Sequence, residues 1–425
     1  MTPGGDLPPP GSRPKCIRTR SRRKAVPIKL VATLGIVLVG LAGRSAVDKV
    51  LTLRGGPELV AYWAQLGSLI ELIAGVALAG VGTGVSVLVA QTDRPDLQRG
   101  LLREALRLGL VVSTPVMLVV AGSSFLFPET FAGGAFSKPL IVIAAAAGCM
   151  AVVPGMLNGY WLGQQRRDLM LALAVTLAVL PLVAALAAPR GHVLAAIAAA
   201  QAVPALAAIV VMGSGLPWTR SPEREHVLLR RYIAPGLVIG VLTPLSMVAA
   251  RGIVSSEMSW HEAGLLQSLW RVSDWVASLA GGVMAVHFLP RLSAAYRTPR
   301  FASELKRAAL VTVLPAALAL AALFLLQRPL FALLYDESFR MSDATVALFF
   351  AGSLLRIASW LPLYALYARR RTVPIMVGEF LSLPLFAVLL AAFRGALTLE
   401  LASALWLAAY FAYGLFNLWA VRRGD

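Results

Sequence analysis

Four arginines stand inside long apolar stretches of this sequence. They are Arg44, Arg251, Arg271 and Arg356. An ionisable side chain in such a stretch is costly to bury and usually faces a cavity or a partner. The planar guanidinium group suits phosphate because it makes bidentate, charge-assisted hydrogen bonds. The pattern therefore predicts a cavity that binds an anion, for which a pyrophosphate group is the natural ligand.

Four carboxylates occupy the same stretches and are candidates for coupling the site to an ion gradient. They are Asp48, Glu71, Asp274 and Glu379. The alternative is a structural role, in which helical spacing of three or four residues or neighbouring helices would pair acids with arginines. Those pairs would be Arg44 with Asp48, Arg271 with Asp274, and Arg356 with Glu379. For Arg251 the alternative is a side chain that extends to the membrane surface.

Two tryptophans, Trp270 and Trp275, flank Arg271 and are candidates for stacking on a sugar, with packing inside the protein as the alternative. The sequence has only two cysteines and four histidines, and none has the spacing of a zinc site. It also lacks a GxxxxGK[ST] loop for ATP. We therefore predict neither a metal nor a cofactor.

The composition places these side chains in a membrane protein. Of 425 residues, 58% are hydrophobic and 14% are charged, and the formal net charge is +18. Soluble domains average roughly 45–50% apolar and about 25% charged residues, so this composition excludes a soluble enzyme. A nucleic-acid partner is not expected either, because such proteins carry their basic charge on a polar surface.

Twelve segments are apolar and long enough to cross a bilayer, which needs about 20 helical residues per span. The sequence therefore predicts an all-α integral membrane protein. The predicted spans are 28–51, 61–90, 108–127, 139–162, 169–188, 192–213, 232–254, 262–288, 308–326, 344–367, 372–393 and 397–420.

The distribution of basic residues predicts the orientation. With the N-terminus in the cytoplasm, the cytoplasmic segments hold 27 Lys and Arg, and the opposite loops hold 6. This satisfies the positive-inside rule at every loop and predicts that both termini are cytoplasmic. Residues 1–26, rich in Pro, Gly and Arg, predict a disordered cytoplasmic tail. A cleaved signal peptide is the alternative interpretation of the first span.

The two halves of the chain resemble each other at an offset of 204 residues. Arg103 matches Arg307 at this offset, and Gln65 matches Gln267 at an offset of 202. Six spans per half insert both halves in the same orientation, which is a parallel repeat with the substrate site between the halves. The predicted domains are an N-lobe (27–213), a cytoplasmic linker (214–231) and a C-lobe (232–421).

Two segments carry a resemblance to a known family. Residues 40–91, GLAGRSAVDKVLTLRGGPELVAYWAQLGSLIELIAGVALAGVGTGVSVLVAQ, resemble the opening helices of the multidrug/oligosaccharidyl-lipid/polysaccharide (MOP) exporter superfamily. Residues 157–168, LNGYWLGQQRRD, are similar to the family's Asn-Gly turn into a short basic loop. Within the superfamily the chain looks most like the Wzx-type polysaccharide flippases of the enterobacterial-common-antigen and O-antigen kind.

The resemblance implies two six-helix lobes and a flippase of the bacterial inner membrane. Such a protein moves undecaprenyl-pyrophosphate-linked oligosaccharide to the periplasmic leaflet for polysaccharide synthesis, as for the O-antigen of lipopolysaccharide. Relatives have a cationic cavity with arginines on the first, second, seventh and eighth helices; Arg44 and Arg271 match this pattern, whereas Glu71 departs from it. Candidate partners are H+ or Na+ as the coupling ion and the polysaccharide polymerase machinery.

Two alternative functions fit the same layout. One is a multidrug antiporter of the superfamily, although such proteins tend to carry acidic cavity residues. The other is a membrane-embedded glycan polymerase or ligase, which usually holds its catalytic residues in a large outer loop. The longest outer loop here, 327–343, is short for that purpose. We therefore predict a transporter and not an enzyme.

Overall fold

The computed structural model describes residues 25–126, 136–213, 229, 233–369 and 371–423. The regular structure in these residues is helical. The predicted tail 1–26 lies outside the described residues except for its last two, and so does the predicted linker 214–231 except for Leu229.

The first two membrane helices are joined by a sharp bend, where the sequence predicts a loop over 52–60. Ala25–Ala77 is helical except at Gly55 and Gly56. Gly56 has φ +63° and ψ −159°, a conformation that glycine alone adopts without strain. Pro57 then opens the next helix, where its missing N–H breaks no hydrogen bond. We name residues 25–54 α1 and residues 57–90 α2, which passes through a π-helical turn at Leu78–Gly82 into Thr83–Ala90.

Ten further membrane helices follow in the described part of the chain. The first half continues with α3 Pro95–Leu126, α4 Lys138–Gly163, α5 Arg167–Ala187 and α6 Val193–Gly213. The second half has α7 Ile233–Glu257, α8 Trp260–Val283 with its continuation Met284–Phe288 and Leu289–Ala295, α9 Arg300–Leu325, α10 Asp343–Ala368, α11 in two parts, Thr372–Phe380 and Leu383–Ala392, and α12 Leu399–Arg422. A short helix, Gln327–Leu334, lies between α9 and α10.

These helices form the predicted all-α membrane fold. Ten helical stretches among the described residues are long and apolar enough to cross a membrane. One of them, Leu34–Ala77, contains α1 together with the first part of α2. The 25-residue α7 is also longer than the roughly 20 residues that a bilayer requires. The described residues therefore contain twelve membrane helices, as the sequence predicts.

The helices form two groups, which we call the N-lobe (α1–α6) and the C-lobe (α7–α12). The lobes meet where α1 and α2 pack against α7 and α8. At Gly75 the backbones of α2 and α7 are so close that an added Cβ would lie 2.5 Å from the carbonyl oxygen of Gly240. Each lobe has a π-helical turn late in its second helix, at Leu78–Gly82 and at Met284–Phe288. The second helix of each lobe thus carries the same π-helical interruption at a similar position.

The two ends of the bundle differ in their basic residues. We call the end with the loops after α2, α4, α8 and α10 the Arg-rich end, because among the described residues those loops and the flanking helix ends hold more Lys and Arg than the loops at the opposite end. The opposite end, which includes the short helix Gln327–Leu334, is the Arg-poor end.

Candidate functional site

A cavity of about 750 Å³ lies between the two lobes. The four predicted arginines line it, together with three of the four predicted acids and one of the two predicted tryptophans. These residues are Arg44, Arg251, Arg271, Arg356, Glu71, Asp274, Glu379 and Trp270. The fold thus brings together, at one site, side chains that are more than 300 residues apart in the sequence.

Arg251 on α7 is the most buried of these arginines, with 1% of its surface exposed. Its Nε donates to Oε1 of Gln65 at 3.1 Å and its Nη1 donates to Oε1 of Gln267 at 2.6 Å. Its Nη2 donates to the hydroxyl of Ser68. All three acceptors are neutral, and the two glutamines are the pair matched by the sequence repeat. The alternative that Arg251 extends to the membrane surface is therefore wrong: it lies between the lobes.

Arg271 on α8 forms an ion pair across the lobe interface. Its Nε lies 2.6 Å from Oδ2 of Asp48 on α1. Both side chains are largely buried, with 13% and 2% of their surfaces exposed. The other carboxylate oxygen of Asp48, Oδ1, is buried and has no hydrogen-bond partner. This contact overturns the two intrahelical pairs, Arg44 with Asp48 and Arg271 with Asp274, because Asp48 faces the other lobe.

The remaining two arginines also pair between helices. Nη2 of Arg356 on α10 lies 2.7 Å from Oδ1 of Asp274 on α8. Nη2 of Arg44 lies 3.9 Å from Oε1 of Glu71, and more than 60% of both side chains is exposed to the cavity. The second contact is the looser of the two.

Glu379 lies at the break in α11 and lines the cavity. Its Oε1 accepts a hydrogen bond from the hydroxyl of Tyr413 at 3.4 Å. The alternative that Glu379 forms a structural pair with Arg356 is therefore wrong, since Arg356 bonds to Asp274 instead.

These contacts give the cavity a mixed charge rather than a purely cationic one. Three of the four arginines face a carboxylate, and only Arg251 is held by neutral groups alone among the described side chains. A buried charge without a charged partner is unfavourable. Arg251 is thus the cation with the most to gain from an anion.

Neither of the two tryptophans predicted to stack on a sugar presents an open ring face to the cavity in this conformation. Trp270 is 1% exposed, and three aromatic rings meet it edge-on, with centroids 5.7 to 6.1 Å away on Phe349, Phe386 and Trp406. In this conformation protein side chains surround its ring. Trp275 is half-buried, and its indole N–H has no hydrogen-bond partner.

Other aromatic side chains face the cavity and were missed by the sequence analysis. They are Trp360 on α10 and Tyr410 and Tyr413 on α12. Trp360 follows Arg356 by four residues, and Tyr413 follows Tyr410 by three. This helical spacing was the signal that could have grouped each with a polar face.

Contacts between the lobes close the Arg-poor end. Nζ of Lys49 on α1 donates to the backbone carbonyl of Tyr335, just after the short helix Gln327–Leu334. Nearby, the ring of Tyr62 lies 4.8 Å from that of Trp260 on α8. The cavity extends the other way, to Asn158 and Met170, which flank the basic loop after α4. The cavity therefore approaches the Arg-rich end.

Within the described ranges, no group of three or more His, Cys, Asp or Glu is arranged to hold a metal ion. The polar groups of the cavity are guanidinium, carboxylate, amide and phenol groups, which suit recognition of a polar or charged ligand.

Comparison with known proteins gives relatives of one kind. No family model matches the chain. It is 25% identical over 435 aligned positions to the Lipid III flippase of Escherichia coli (strain K12), covering 92% of this chain and 98% of the relative. The same figures hold for the Lipid III flippase of Shigella flexneri.

Solved structures share the fold. An inward-facing multidrug resistance MATE family transporter of the MOP superfamily superposes with a TM-score of 0.70, at 13% identity over 92% of this chain and 93% of that one. The lipid II flippase MurJ, in an inward closed conformation, gives a TM-score of 0.69, at 14% identity over 93% and 87% of the two chains. These relatives are transporters and flippases, which confirms the prediction of a transporter rather than an enzyme. By fold, the chain is a multi-pass membrane protein similar to a MATE family transporter of the MOP superfamily and to the lipid II flippase MurJ, and in sequence it is similar to lipid III flippases.

Proposed function

We propose that this protein flips undecaprenyl-pyrophosphate-linked oligosaccharide from the cytoplasmic to the periplasmic leaflet of the bacterial inner membrane. The glycan would serve cell-surface polysaccharide synthesis, as O-antigen or a related polymer. The near full-length relationship to a lipid III flippase supports a lipid-linked substrate. The excess of basic residues in the segments predicted to be cytoplasmic, 27 Lys and Arg against 6 in the opposite loops, supports an orientation with both termini in the cytoplasm.

The observation that carries the proposal is the state of Arg251. Its guanidinium lines the cavity, is buried, and bonds only to neutral acceptors. Pyrophosphate would supply the missing negative charge, and Arg271 on the adjacent helix would provide a second guanidinium. Arg44 would contribute further positive charge from the N-lobe, whereas Arg356 of the C-lobe is compensated by Asp274.

The ion pair between Asp48 and Arg271 links binding to the opening of the Arg-poor end. In the present conformation Asp48 forms an ion pair with the guanidinium of Arg271, to which a phosphate would bind. A bound pyrophosphate would compete with Asp48, and release of this pair removes one of the bonds that hold the lobes together. The lobes, 27–213 and 232–421, would then rock about the 214–231 linker and expose the substrate at the periplasmic side.

The remaining acids would serve the return half of the cycle. Glu71, Asp274 and Glu379 line the same cavity and can neutralise the arginines once the substrate has left. Protonation of these groups or of Asp48, or binding of a cation, would couple turnover to an ion gradient.

The proposal is tested in cells that lack the gene and carry a variant on a plasmid. Arg271→Glu and Arg251→Glu should abolish the surface glycan at normal protein levels, because a negative charge replaces the phosphate ligand. The matched control is Arg190→Glu, at an exposed arginine in a loop of the Arg-poor end. Intact glycan export by both cavity variants would rule out the pyrophosphate role.

A second candidate function is a multidrug antiporter for cationic compounds. The observation in its favour is that three carboxylates, Glu71, Asp274 and Glu379, line the cavity, since acids bind cations. Loss of drug resistance without a glycan defect in the deletion strain would favour this function over the flippase.

A further inference from the structure

The two walls of the cavity differ in chemistry although equivalent helices of the two lobes build them. On the N-lobe side, α4 and α5 contribute mainly aliphatic side chains such as Met170, Leu173 and Leu177. On the C-lobe side, α10, α11 and α12 contribute Trp360, Glu379, Tyr410, Tyr413 and Arg356. Repeat-related helices therefore present an apolar surface on one side and an aromatic, hydrogen-bonding surface on the other.

The C-lobe wall is held in a fixed arrangement by its own contacts. The guanidinium of Arg356 lies 5.8 Å from the ring centroid of Trp360 while it bonds to Asp274. The ring of Tyr410 packs between Trp406, at 4.6 Å, and Tyr413, at 6.0 Å. The tyrosines thus have little freedom to move, which lowers the entropy cost of binding a ligand against them.

The charges on this wall favour a neutral polar ligand. Arg356 and Asp274 compensate each other, and Glu379 adds a negative charge that would repel a phosphate. Hydroxyl groups can donate to the carboxylates and accept from the guanidinium. An indole ring offers a flat apolar surface with a polar edge. A polyhydroxylated ring with apolar C–H faces, in other words a sugar, matches all of these groups.

We propose that Asp274 of α8 and the C-lobe wall residues Arg356, Trp360, Glu379 and Tyr410 together form the glycan subsite, with Trp360 in place of Trp270 and Trp275 as the stacking residue. The inference rests on the proposed flippase function and assigns its sugar-recognising surface. Asp274 lies one helical turn beyond Arg271 on α8. A sugar attached to a pyrophosphate at Arg271 therefore falls beside this wall.

The test measures binding of two probes to the purified full-length protein in lipid nanodiscs. One probe is undecaprenyl pyrophosphate, and the other is undecaprenyl pyrophosphate that carries an N-acetylhexosamine oligosaccharide. Trp360→Leu and Glu379→Gln should each weaken binding of the sugar-bearing probe about three- to tenfold, the effect of losing one or two modest contacts. Binding of bare undecaprenyl pyrophosphate should not weaken in either variant, since neither substitution removes a group that attracts phosphate.

Matched controls and a milder variant keep the test independent of folding. Trp419→Leu and Glu337→Gln alter the same residue types at exposed positions away from the cavity and should change neither affinity. Tyr410→Phe keeps the packed ring and removes only the hydroxyl, and should weaken only the sugar-bearing probe.

The outcomes distinguish failure of the glycan subsite from failure of the proposed flippase function. Equal losses for both probes, or no loss for either, in Trp360→Leu, Glu379→Gln and Tyr410→Phe would overturn the glycan subsite. Failure of the wild-type protein to bind either probe would instead overturn the proposed function.

Discussion

At the scale of single residues, the site is governed by which carboxylate each arginine meets. Spacing within a helix offered Asp274 as the alternative, structural partner of Arg271, whereas the structure pairs Arg271 with Asp48 on the other lobe. The apolar stretches of the sequence identify which charged residues lie inside membrane helices. The free-energy cost of burying a charge there marks these residues as unusual whatever their partners are. The sequence does not identify the partners, since these depend on how the two lobes pack.

One prediction concerns the charge state of Arg251. Gln267→Glu would place a carboxylate against the buried guanidinium and replace a neutral acceptor. We expect a more stable protein, because the buried charge gains a charged partner, and at least tenfold slower flipping, because the anionic substrate must then displace that carboxylate. Thermal unfolding and glycan export measure the two effects.

The near-isosteric Gln267→Met serves as the comparison, since it removes the acceptor without adding charge. It should lower stability. If Gln267→Glu left the export rate unchanged, Arg251 would not be the phosphate ligand.

A further prediction concerns Asp48. Asp48→Asn leaves Arg271 without its carboxylate, and breaking a buried ion pair in this way costs about 3 kcal/mol of unfolding free energy. The exposed Asp93→Asn is the control and should leave stability unchanged. Chemical unfolding in detergent compares the two variants, and equal stabilities would show that the pair between the lobes contributes nothing.

At the scale of helices, hydropathy located the membrane spans well and their interruptions poorly. The predicted spans agree with the helices because about 20 apolar residues must cross the bilayer in a single helix. The connection predicted as a loop over 52–60 is a sharp bend at Gly55 and Gly56, and the break in α11 after Phe380 was not predicted. Such interruptions are tolerated where neighbouring helices re-satisfy the backbone, and a span-length average of hydropathy does not detect them.

The bend between α1 and α2 gives a prediction at this scale. Gly56→Ala should destabilise the protein by roughly 1–3 kcal/mol, since alanine is strained at the φ and ψ of this position. The control is Gly122→Ala in α3, where an added Cβ would meet no atom within 4 Å. This substitution should be neutral or slightly stabilising. Unfolding free energies of the two variants that agree within error would contradict the strain at Gly56.

At the scale of the whole molecule, polar contacts join the two lobes. The contacts of Lys49 with the Tyr335 carbonyl, of Asp48 with Arg271, and of Arg251 with Gln65 all join the lobes. They are concentrated toward the Arg-poor end, whereas the cavity reaches toward the Arg-rich end. This arrangement suits uptake from the Arg-rich side and release from the other, provided that substrate weakens the contacts.

The central claim is that a pyrophosphate-linked glycan crosses the membrane through the Arg251 and Arg271 site. The most direct measurement is transbilayer movement of undecaprenyl-pyrophosphate-linked oligosaccharide in proteoliposomes that contain the purified protein. The account predicts flipping by the wild-type protein and by Arg190→Gln, and at least tenfold slower flipping by Arg251→Gln and by Arg271→Gln. Equal rates in all four proteins, or no flipping above protein-free liposomes by the wild-type protein, would contradict it.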